Sequence, residues 1–370
     1  MKIWKEIAYI PTPNRPTEVV IKVECSTVNL QDCMIRRGKW YEMHNLPFIP
    51  GSDLVGTIHE IGIEASKSST FKVGDRVAAL VPSGGNAKYI TIEYRNIIRV
   101  PPGVASERAL CLSSTYVPAR EALDLGRKMN TPFTGANILV IGGNGPSGLA
   151  TIELALLEGA CVFTTADERH HDHLTRLGAK CFAIDPAKWL PTLTGKMDVV
   201  LDSVCLDGYT SSSLALNSAG ILVCTGMSAV YTQGAMPTLI LKDARDVRAM
   251  YFKTRVKFLW DNAVYYDRME RFASAPNEYA VSDSLRIVNL SHRLLNIRSS
   301  FPSSQKQHFR YLCHLASKGT INPLVSTRAP LNLVASLQRE IELGNTTYGI
   351  CVCAPWTTQA ASVTEGTAVP

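Results

Sequence analysis

A chain of 370 residues exceeds what one hydrophobic core usually supports, so two domains are expected. Hydrophobic residues make up 46% of the chain and charged residues 19%, as is typical of an ordinary soluble globular protein. The net charge of +6 is spread along the chain, and the nearest approach to a basic run, IRRGK at 35–39, is too short to indicate nucleic-acid binding.

The sequence carries no signal for export or for a membrane span. No stretch of 18 or more apolar residues occurs. The first residues, MKIWKEIAYIPTP, lack the long apolar core and the small-residue cleavage site of a secretory signal. The ten cysteines include no C-x-x-C pair, and several, such as Cys161 and Cys224, lie in apolar runs. We therefore expect buried free thiols in a reducing compartment, and a cytoplasmic protein.

Residues 1–103 have the pattern of β structure. The segment EVVIKVEC at 18–25 alternates in polarity and is rich in β-branched residues, which predicts a strand. Further strand-and-turn segments, punctuated by glycine, lie at 51–62, 71–80 and 83–103. The pattern predicts an antiparallel, barrel-like β domain.

Beyond residue 103, strands alternate with helices. After a segment of helical spacing at 106–126, predicted strands follow at 137–142, 161–166, 180–185, 197–204 and 220–227. Alternation of this kind predicts a parallel sheet with helices on both faces. Residues 256–308 are less regular, and the tail at 358–370 has no apolar pattern and is expected to be disordered.

The segment ILVIGGNGPSG at 138–148 contains the spacing G-x-G-x-x-G between a predicted strand and a predicted helix. In a dinucleotide site the first glycine permits a tight turn, the second lets backbone approach the pyrophosphate, and the third lets the helix pack closely. The N–H groups of the first helical turn then face the phosphates. The alternative is a purely structural turn. The candidate phosphate-binding residues are Gly143, Gly145, Pro146, Ser147 and Gly148.

The end of the next strand bears on the choice of nucleotide. An acidic residue there binds the ribose hydroxyls of NAD, whereas a small residue with a nearby cation suits the 2′-phosphate of NADP. Ala166 stands at the predicted strand end and Arg169 follows, which favours NADP. Asp167 lies between them and leaves NAD as the alternative.

Seven segments, in this order, resemble the medium-chain dehydrogenase/reductase superfamily and, within it, the zinc-free quinone oxidoreductase and enoyl reductase branch. They are VVIKVECSTVNLQD, LPFIPGSDLVGTIHEIG, FKVGDRVAAL, LVIGGNGPSGLATIELALLEGA, MDVVLDSV, AGILVCTGM and LASKGTINPLV. The resemblance implies an α/β fold with two domains. A GroES-like β-barrel catalytic domain would comprise 1–115 and 320–357. A Rossmann domain with a doubly wound parallel sheet would comprise 116–319, with the irregular region near 256–308.

The zinc ligands of the family's zinc-bearing members are missing. Asn29 stands where those relatives place a cysteine, and Ser52 and Asp53 replace the histidine and glutamate of their G-H-E segment. No four-cysteine lobe follows the glycines near 84–85. Because catalytic zinc needs three protein ligands of suitable type, no metal is expected.

The resemblance also points to residues near the substrate and the nicotinamide. Asn29 and Asp32 match an N-x-x-D segment, with the alternative that both satisfy loop backbone groups. Trp40 and Tyr41 lie in a site-lining aromatic segment. Thr225 and Met227 lie in the segment that matches the strand end packed against the nicotinamide ring.

The resemblance implies an NADPH-dependent, zinc-independent reductase of an activated carbon–carbon double bond or a quinone, acting on a small molecule and possessing no nucleic-acid partner. Departures such as Pro118, in place of a threonine that commonly faces the nicotinamide, fit a specialised biosynthetic reductase or a protein that has lost its redox chemistry. Two alternatives follow: a non-redox relative that catalyses a cyclisation or isomerisation, and a non-catalytic binding protein. A homodimer through the sheet edge near 228–255 is expected, with a monomer as the alternative.

Overall fold

The computed structural model describes residues 9–37, 47–127, 132–207, 209–226, 228–229, 255–258, 303–346, 348–358 and 361–362. The chain divides into two compact units. One contains Met1–Val117 and Leu294–Pro370, and the other contains Pro118–Arg293.

The strands are numbered in chain order. They are β1 (Glu18–Val28), β2 (Asp53–Ile61), β3 (Arg76–Leu80), β4 (Tyr89–Glu93), β5 (Ile97–Arg99), β6 (Asn137–Ile141), β7 (Cys161–Thr165), β8 (Lys180–Phe182), β9 (Met197–Asp202), β10 (Leu216–Cys224), β11 (Arg255–Phe258), β12 (Val325–Ala329), β13 (Ile350–Cys353) and β14 (Ala361–Ser362).

The α-helices are numbered in the same way. They are α1 (Leu30–Arg36), α2 (Ile63–Ser68), α3 (Ser106–Cys111), α4 (Val117–Gly126), α5 (Pro146–Leu157), α6 (His171–Leu177), α7 (Pro186–Leu193), α8 (Thr210–Ala215), α9 (Ser303–Ser317) and α10 (Val334–Glu342).

The first unit is built around β1. This strand pairs antiparallel with β2, β4 and β13, and the described sheet runs in the order β14-β12-β13-β1-β2-β3-β5. Val19, Ile21 and Val23 alternate along β1 and lie in the apolar core with Leu54 of β2, whereas Lys22 is exposed. The alternation read from the sequence holds only around Lys22 and Glu24, because Val20 and residues 25–28 are buried as well.

The second unit is a parallel sheet in the order β11-β10-β9-β6-β7-β8. From β6 the chain moves to β7 and β8 on one side, and then returns to β9 on the other side of β6. The strand order therefore reverses between β6 and β9. Such a reversal opens a crevice at the carboxyl ends of the two strands, where open α/β sheets bind ligands.

Local sequence signals explain where the helices of this unit begin and end. Asp185 caps α7 by accepting the Ala187 N–H at 3.0 Å, and Pro186 opens that helix. Gly178 ends α6 with a φ of 109°, and Gly159 takes a φ of 82° after α5. A left-handed backbone at a helix end favours glycine because glycine has no Cβ.

Two expectations about the ends of the domains need correction. The sequence analysis assigns 116–319 to the second domain, but α9 belongs to the first unit, where it contacts Leu112–Tyr116. Its apolar residues Phe309 and Leu312 are buried. The tail from 358 was expected to be disordered, yet Ala361–Ser362 pairs antiparallel with β12. Short polar or small residues can form a strand when a partner edge supplies the hydrogen bonds, which composition does not reveal.

Candidate functional site

The glycine turn follows β6 at the crevice of the second unit. Gly142, rather than Gly143, takes the left-handed backbone, with a φ of 87°. The Gly142 and Gly143 N–H groups donate to the Thr165 carbonyl at 3.2 and 3.0 Å. A Cβ on Gly143 would lie 2.0 Å from the Thr164 Oγ1. The tight turn that the sequence analysis assigned to Gly143 is thus made by Gly142, and Gly143 instead permits close approach to β7.

Gly145 and Gly148 have different surroundings. A Cβ on Gly148 would lie 2.2 Å from the Gly142 carbonyl oxygen, so glycine is needed for α5 to begin directly against the turn. Gly145 has a φ of −74°, and a Cβ there would meet only the Gly142 oxygen at 3.5 Å. The space beside Gly145 is therefore open.

That open space lies at the N-terminus of α5. Pro146 is the first residue of the helix, and Ser147 follows it. The first N–H groups of a helix have no partner within the helix and carry partial positive charge. Open space next to the partial positive charge of a helix N-terminus, at the switch point of a sheet, fits a phosphate group.

The end of β7 lies beside this turn. Ala166 is fully buried, and its carbonyl oxygen is 3.1 Å from the His171 Nε2. Asp167 caps the short helix that follows, by accepting the Arg169 N–H at 3.2 Å. The same carboxylate lies 3.3 Å from the Arg169 Nε, whose side chain is more than half exposed. Asp167 and Arg169 therefore form one ion pair at the surface.

The end of β9 completes the crevice, and the sequence analysis had not singled it out. Asp202 is buried and accepts the Val204 and Cys205 N–H groups at 2.8 and 2.9 Å and the Ser212 hydroxyl at 2.6 Å. Burial raises the pKa of this carboxyl, and the three donors oppose the rise. The segment after Asp202 is thereby held close to Gly142, whose Cβ would lie 2.7 Å from the Val204 Cγ2.

The end of β10 lies next to Asp202. The N–H of Thr225 donates to the Asp202 carbonyl at 2.7 Å, and Thr225 is partly exposed. Met227, the other residue predicted here, lies outside the described residues.

A second polar cluster occupies the first unit, where β1 leads into α1. Asn29 and Asp32 form a capping box: the Asn29 Oδ1 accepts the Asp32 N–H at 3.0 Å, and the Asp32 Oδ2 accepts the Asn29 N–H at 3.1 Å. The Asp32 Oδ1 also accepts the Gly51 N–H at 2.8 Å. Asp32 thus ties the start of α1 to the segment before β2, which agrees with the alternative that it satisfies backbone groups.

Burial changes the acid–base behaviour of the two aspartates in this cluster. Burial raises the pKa of Asp32 to about 6, although the N–H groups of Gly51 and Asn29 oppose the rise. Burial, followed by the charge of Asp32, raises the pKa of Asp53 to about 8. The Asp53 carboxyl is therefore neutral over much of the neutral pH range, and it hydrogen-bonds the Thr27 hydroxyl.

Ser52 and Asn29 form the accessible part of the cluster. Both are partly exposed, whereas Thr27 and Asp53 are buried. The Asn29 Nδ2 donates to the Ser52 Oγ at 3.2 Å and lies 3.5 Å from the Thr27 Oγ1. The sequence analysis noted Asn29, Ser52 and Asp53 but missed Thr27, which has no spacing signal of its own.

Two of the predicted site residues, Trp40 and Tyr41, lie outside the described residues.

Across the parts of the chain that the structure describes, no group of three or more His, Cys, Asp or Glu side chains is placed to hold a metal ion. Within the same ranges, no helix combines the length and apolar character that crossing a bilayer requires.

Residues 15–119 match the family model of the alcohol dehydrogenase GroES-like domain. The chain is 28% identical over 226 residues to quinone oxidoreductase-like protein 2 of Bos taurus. This aligned segment covers 59% of this chain and 63% of that protein. It is also 32% identical over 177 residues to a trans-enoyl reductase of Aspergillus japonicus, and this aligned segment covers 44% of this chain and 50% of that protein. The matched segment thus spans less than two thirds of either relative.

The fold is similar to that of a mycobacterial protein whose structure was solved in complex with NADPH. The two share 22% sequence identity, and the alignment covers 95% of this chain and 94% of the other, with a TM-score of 0.71. This likeness concerns the fold. Together with the GroES-like match, it confirms the predicted α/β class with a GroES-like domain and a Rossmann-type parallel sheet.

Gly148→Ala and Gly145→Ala should have opposite effects on stability. Alanine at 148 places a Cβ 2.2 Å from the Gly142 oxygen, so the helix must move. The free energy of unfolding should fall by about 2–4 kcal/mol. Alanine at 145 fits a φ of −74° in open space, so stability should stay level or rise by about 0.4–1 kcal/mol. Denaturant titration of the two variants measures the difference. Equal destabilisation by both would contradict this account of the turn.

Asp53→Asn should make stability less dependent on pH. The pKa of Asp53 is about 8 in the folded protein and about 3.9 in the unfolded chain. The contribution of Asp53 to the free energy of unfolding is therefore fully present below about pH 3.9, and it is lost as the pH rises to about 8. Asparagine mimics the neutral carboxyl and still accepts the Thr27 hydroxyl. Between pH 5 and pH 8, denaturant titrations should show that the free energy of unfolding falls less for the variant than for wild type, by on the order of 4 kcal/mol. Parallel declines would show that Asp53 is ionised in the folded protein.

Proposed function

We propose that this chain, which belongs to the medium-chain dehydrogenase/reductase superfamily and to its quinone oxidoreductase-like branch, is an NADPH-dependent reductase of an activated carbon–carbon double bond or a quinone. The observation that carries the proposal is the open space beside Gly145 at the N-terminus of α5. The names of the two relatives, a quinone oxidoreductase-like protein and a trans-enoyl reductase, support the reaction class.

The residues of the glycine turn fit the phosphates of a dinucleotide. The N–H groups of Ser147 and Gly148 in the first turn of α5 would bind the pyrophosphate in the open space beside Gly145, while Gly143 and Pro146 shape the turn and the start of the helix. Thr225 and Met227 would lie toward the nicotinamide half of the nucleotide. When bound, the dihydronicotinamide supplies a hydride to an electrophilic carbon of the substrate.

The contacts at the end of β7 support NADPH over NADH. Asp167 already accepts the Arg169 N–H and pairs with the Arg169 side chain, so its oxygens are engaged and less able to bind ribose hydroxyls. Ala166 adds no side-chain bulk at the strand end, and the exposed Arg169 guanidinium suits a 2′-phosphate. Ala166 and Arg169 are therefore the proposed specificity residues.

We also propose that the reaction proceeds without zinc. Asn29 and Ser52 are not zinc ligands of the usual kinds, and they are hydrogen-bonded to each other. Asp53 is buried against Thr27. In place of a Lewis acid, hydrogen-bond donors would stabilise the charge that develops on the substrate oxygen.

The remaining site residues complete the proposal. Asn29 and Asp32 position the start of α1 through their capping box. Trp40 and Tyr41 are proposed to line the substrate site. The substrate is a small enone, enoyl compound or quinone, and a biosynthetic pathway in the cytoplasm is the proposed setting.

A homodimer is the proposed assembly. In the described part of the parallel sheet, β11 pairs with β10 and has no other strand partner. A sheet edge of this kind can pair with the same edge of a second copy across a two-fold axis. The segment expected to supply more of this edge, 230–254, lies outside the described residues.

NADPH should quench the intrinsic fluorescence of the wild-type protein, and NADPH absorbance should fall when a generic enone or quinone is added. Gly145→Val should remove the binding, because the larger side chain fills the open space, while the melting temperature stays within a few degrees of wild type. Gly145→Ala is the matched control, since its single methyl intrudes less.

The outcomes separate the candidate functions. Binding of NADPH without turnover would favour a non-redox relative that keeps the nucleotide. Absence of binding by the folded wild-type protein would favour a non-catalytic protein. Normal NADPH binding by Gly145→Val would mean that the turn is structural.

Arg169→Ala should weaken NADPH binding by about tenfold or more and leave NADH binding nearly unchanged. A bidentate, charge-assisted contact with the 2′-phosphate contributes about 1.5–3 kcal/mol, and about 1.4 kcal/mol corresponds to a tenfold change in affinity. Fluorescence titration with each nucleotide measures the effect. Arg176→Ala removes another exposed arginine from the adjoining helix and serves as the control. An equal loss for both nucleotides would instead point to Asp167 as the determinant.

A further inference from the structure

Two residues other than glycine have a left-handed backbone in the segment that connects β9 to α8. Cys205 has a φ of 56° and Tyr209 a φ of 67°, and both side chains are fully buried. Among the residues that the structure describes, no other non-glycine residue has a positive φ. Such a conformation is unfavourable for a residue with a Cβ, and it persists only where the surrounding contacts impose it. The contacts of this segment therefore indicate what the conformation serves.

The residues after β9 contact the end of β6 on one side. The Ser203 hydroxyl donates to the Ile141 carbonyl at 3.0 Å. A Cβ on Gly142 would lie 2.9 Å from the Ser203 Oγ and 2.7 Å from the Val204 Cγ2. These two residues therefore pack directly against the residue that makes the glycine turn.

The same two residues contact the end of β10 on the other side. The Ser228 N–H donates to the Ser203 carbonyl at 3.2 Å. The Ala229 N–H donates to the Val204 carbonyl at 3.0 Å. A Cβ on Gly226 would lie 2.9 Å from the Ser203 carbonyl oxygen. The segment after β9 thus sets how the backbone at the end of β10 lies relative to the glycine turn.

Tyr209 adds a side-chain hydrogen bond to this contact. Its hydroxyl donates to the Gly226 carbonyl at 2.7 Å, and its ring lies in the apolar core with Cys205 and Cys224. Burial raises the pKa of Tyr209 well above its usual value, so the hydroxyl keeps its proton and remains a donor. The Tyr209 carbonyl accepts the Ser213 N–H at 2.9 Å. Through these bonds one residue joins the start of α8 to the end of β10.

A dinucleotide in the crevice would reach the end of β10. Its pyrophosphate is assigned above to the N-terminus of α5, which follows β6. In folds of this kind the adenosine ribose binds at the end of the next strand, here β7, which lies on one side of β6. The second nucleoside must then lie on the other side of β6, where β9 and β10 end. Thr225 and Gly226 lie at that end of β10.

We propose that Tyr209 is a positioning residue for the nicotinamide half of the nucleotide, because its bond to the Gly226 carbonyl fixes the backbone against which that half binds. The proposal rests on the nucleotide-dependent function proposed above and deepens it, and it involves residues of the second unit alone. Since Tyr209 is fully buried, it acts through Thr225 and Gly226 and does not itself touch the nucleotide.

Tyr209→Phe removes the hydroxyl and keeps the ring. Isothermal titration calorimetry should show that NADPH binds about five- to tenfold more weakly, as expected for the loss of one intramolecular hydrogen bond. Adenosine 2′,5′-bisphosphate lacks the nicotinamide half. It should bind within about twofold of its affinity for wild type, because its contacts lie on the β7 side of the crevice. An equal loss for both ligands, or a loss for neither, would overturn the positioning role.

Ile138→Val is the matched control for a general loss of stability. Ile138 is fully buried near the amino-terminal end of β6, away from the crevice, and shortening its side chain lowers stability modestly. The melting temperature of this variant should fall, while its affinity for both ligands stays at the wild-type value. If Ile138→Val weakens NADPH binding as much as Tyr209→Phe does, destabilisation alone explains the loss and the positioning role falls.

Amide hydrogen exchange without a nucleotide locates the effect. The N–H groups of Thr225, Ser228 and Ala229, which bond to the segment at the end of β9, should exchange faster in Tyr209→Phe than in wild type. The N–H of Leu149 in α5 should exchange at the wild-type rate. Unchanged exchange at all three residues would contradict a role for Tyr209 in holding the end of β10.

The outcomes for the wild-type protein separate this proposal from the proposed function. If wild type binds NADPH with the expected dependence on Tyr209 yet reduces no enone or quinone, the positioning role is supported and the reductase function falls. If wild type reduces an acceptor and Tyr209→Phe binds NADPH equally tightly, only the positioning role falls. If wild type binds neither NADPH nor adenosine 2′,5′-bisphosphate, both fall.

Discussion

The close approach of α5 to the turn that precedes it is the constraint on which the second unit depends. The first turn of the helix packs against the turn after β6 because Gly148 has no Cβ to meet the Gly142 carbonyl oxygen. With the helix in that place, its unpartnered N–H groups lie at the reversal of strand order between β6 and β9. The turn therefore both allows the helix to pack closely and places the partial positive charge of the helix N-terminus at the crevice.

In the first unit, polar side chains lie beside a buried sheet and must be hydrogen-bonded or neutral there. Asp32 does this by accepting backbone N–H groups from its own helix and from Gly51. The cost of burying its carboxyl is offset by these bonds, and Asp53 avoids the cost by staying neutral up to about pH 8. The result is a cluster in which two side chains, Asn29 and Ser52, reach solvent in a fixed orientation.

The resemblance to the superfamily and the arrangement of this cluster can be compared position by position. The positions at which zinc-bearing relatives hold metal ligands are here occupied by residues that hydrogen-bond one another, Asn29 with Ser52 and Asp53 with Thr27. The amide and hydroxyl groups of Asn29, Ser52 and Thr27 are not zinc ligands of the usual kinds.

Much of the fold follows from local patterns, because the periodicity of β1, the glycine spacing at 143–148 and the alternation of strands and helices each reflect interactions between near neighbours. The sequence by itself therefore determined the two-part α/β architecture, the glycine turn and the family resemblance. Only the tertiary structure decided that Gly142 carries the positive φ, that α9 packs in the first unit, and that Thr27 and Asp202 belong to polar clusters. The reason is physical: these features arise from contacts between segments far apart in the chain, and such contacts leave no periodic trace in the sequence.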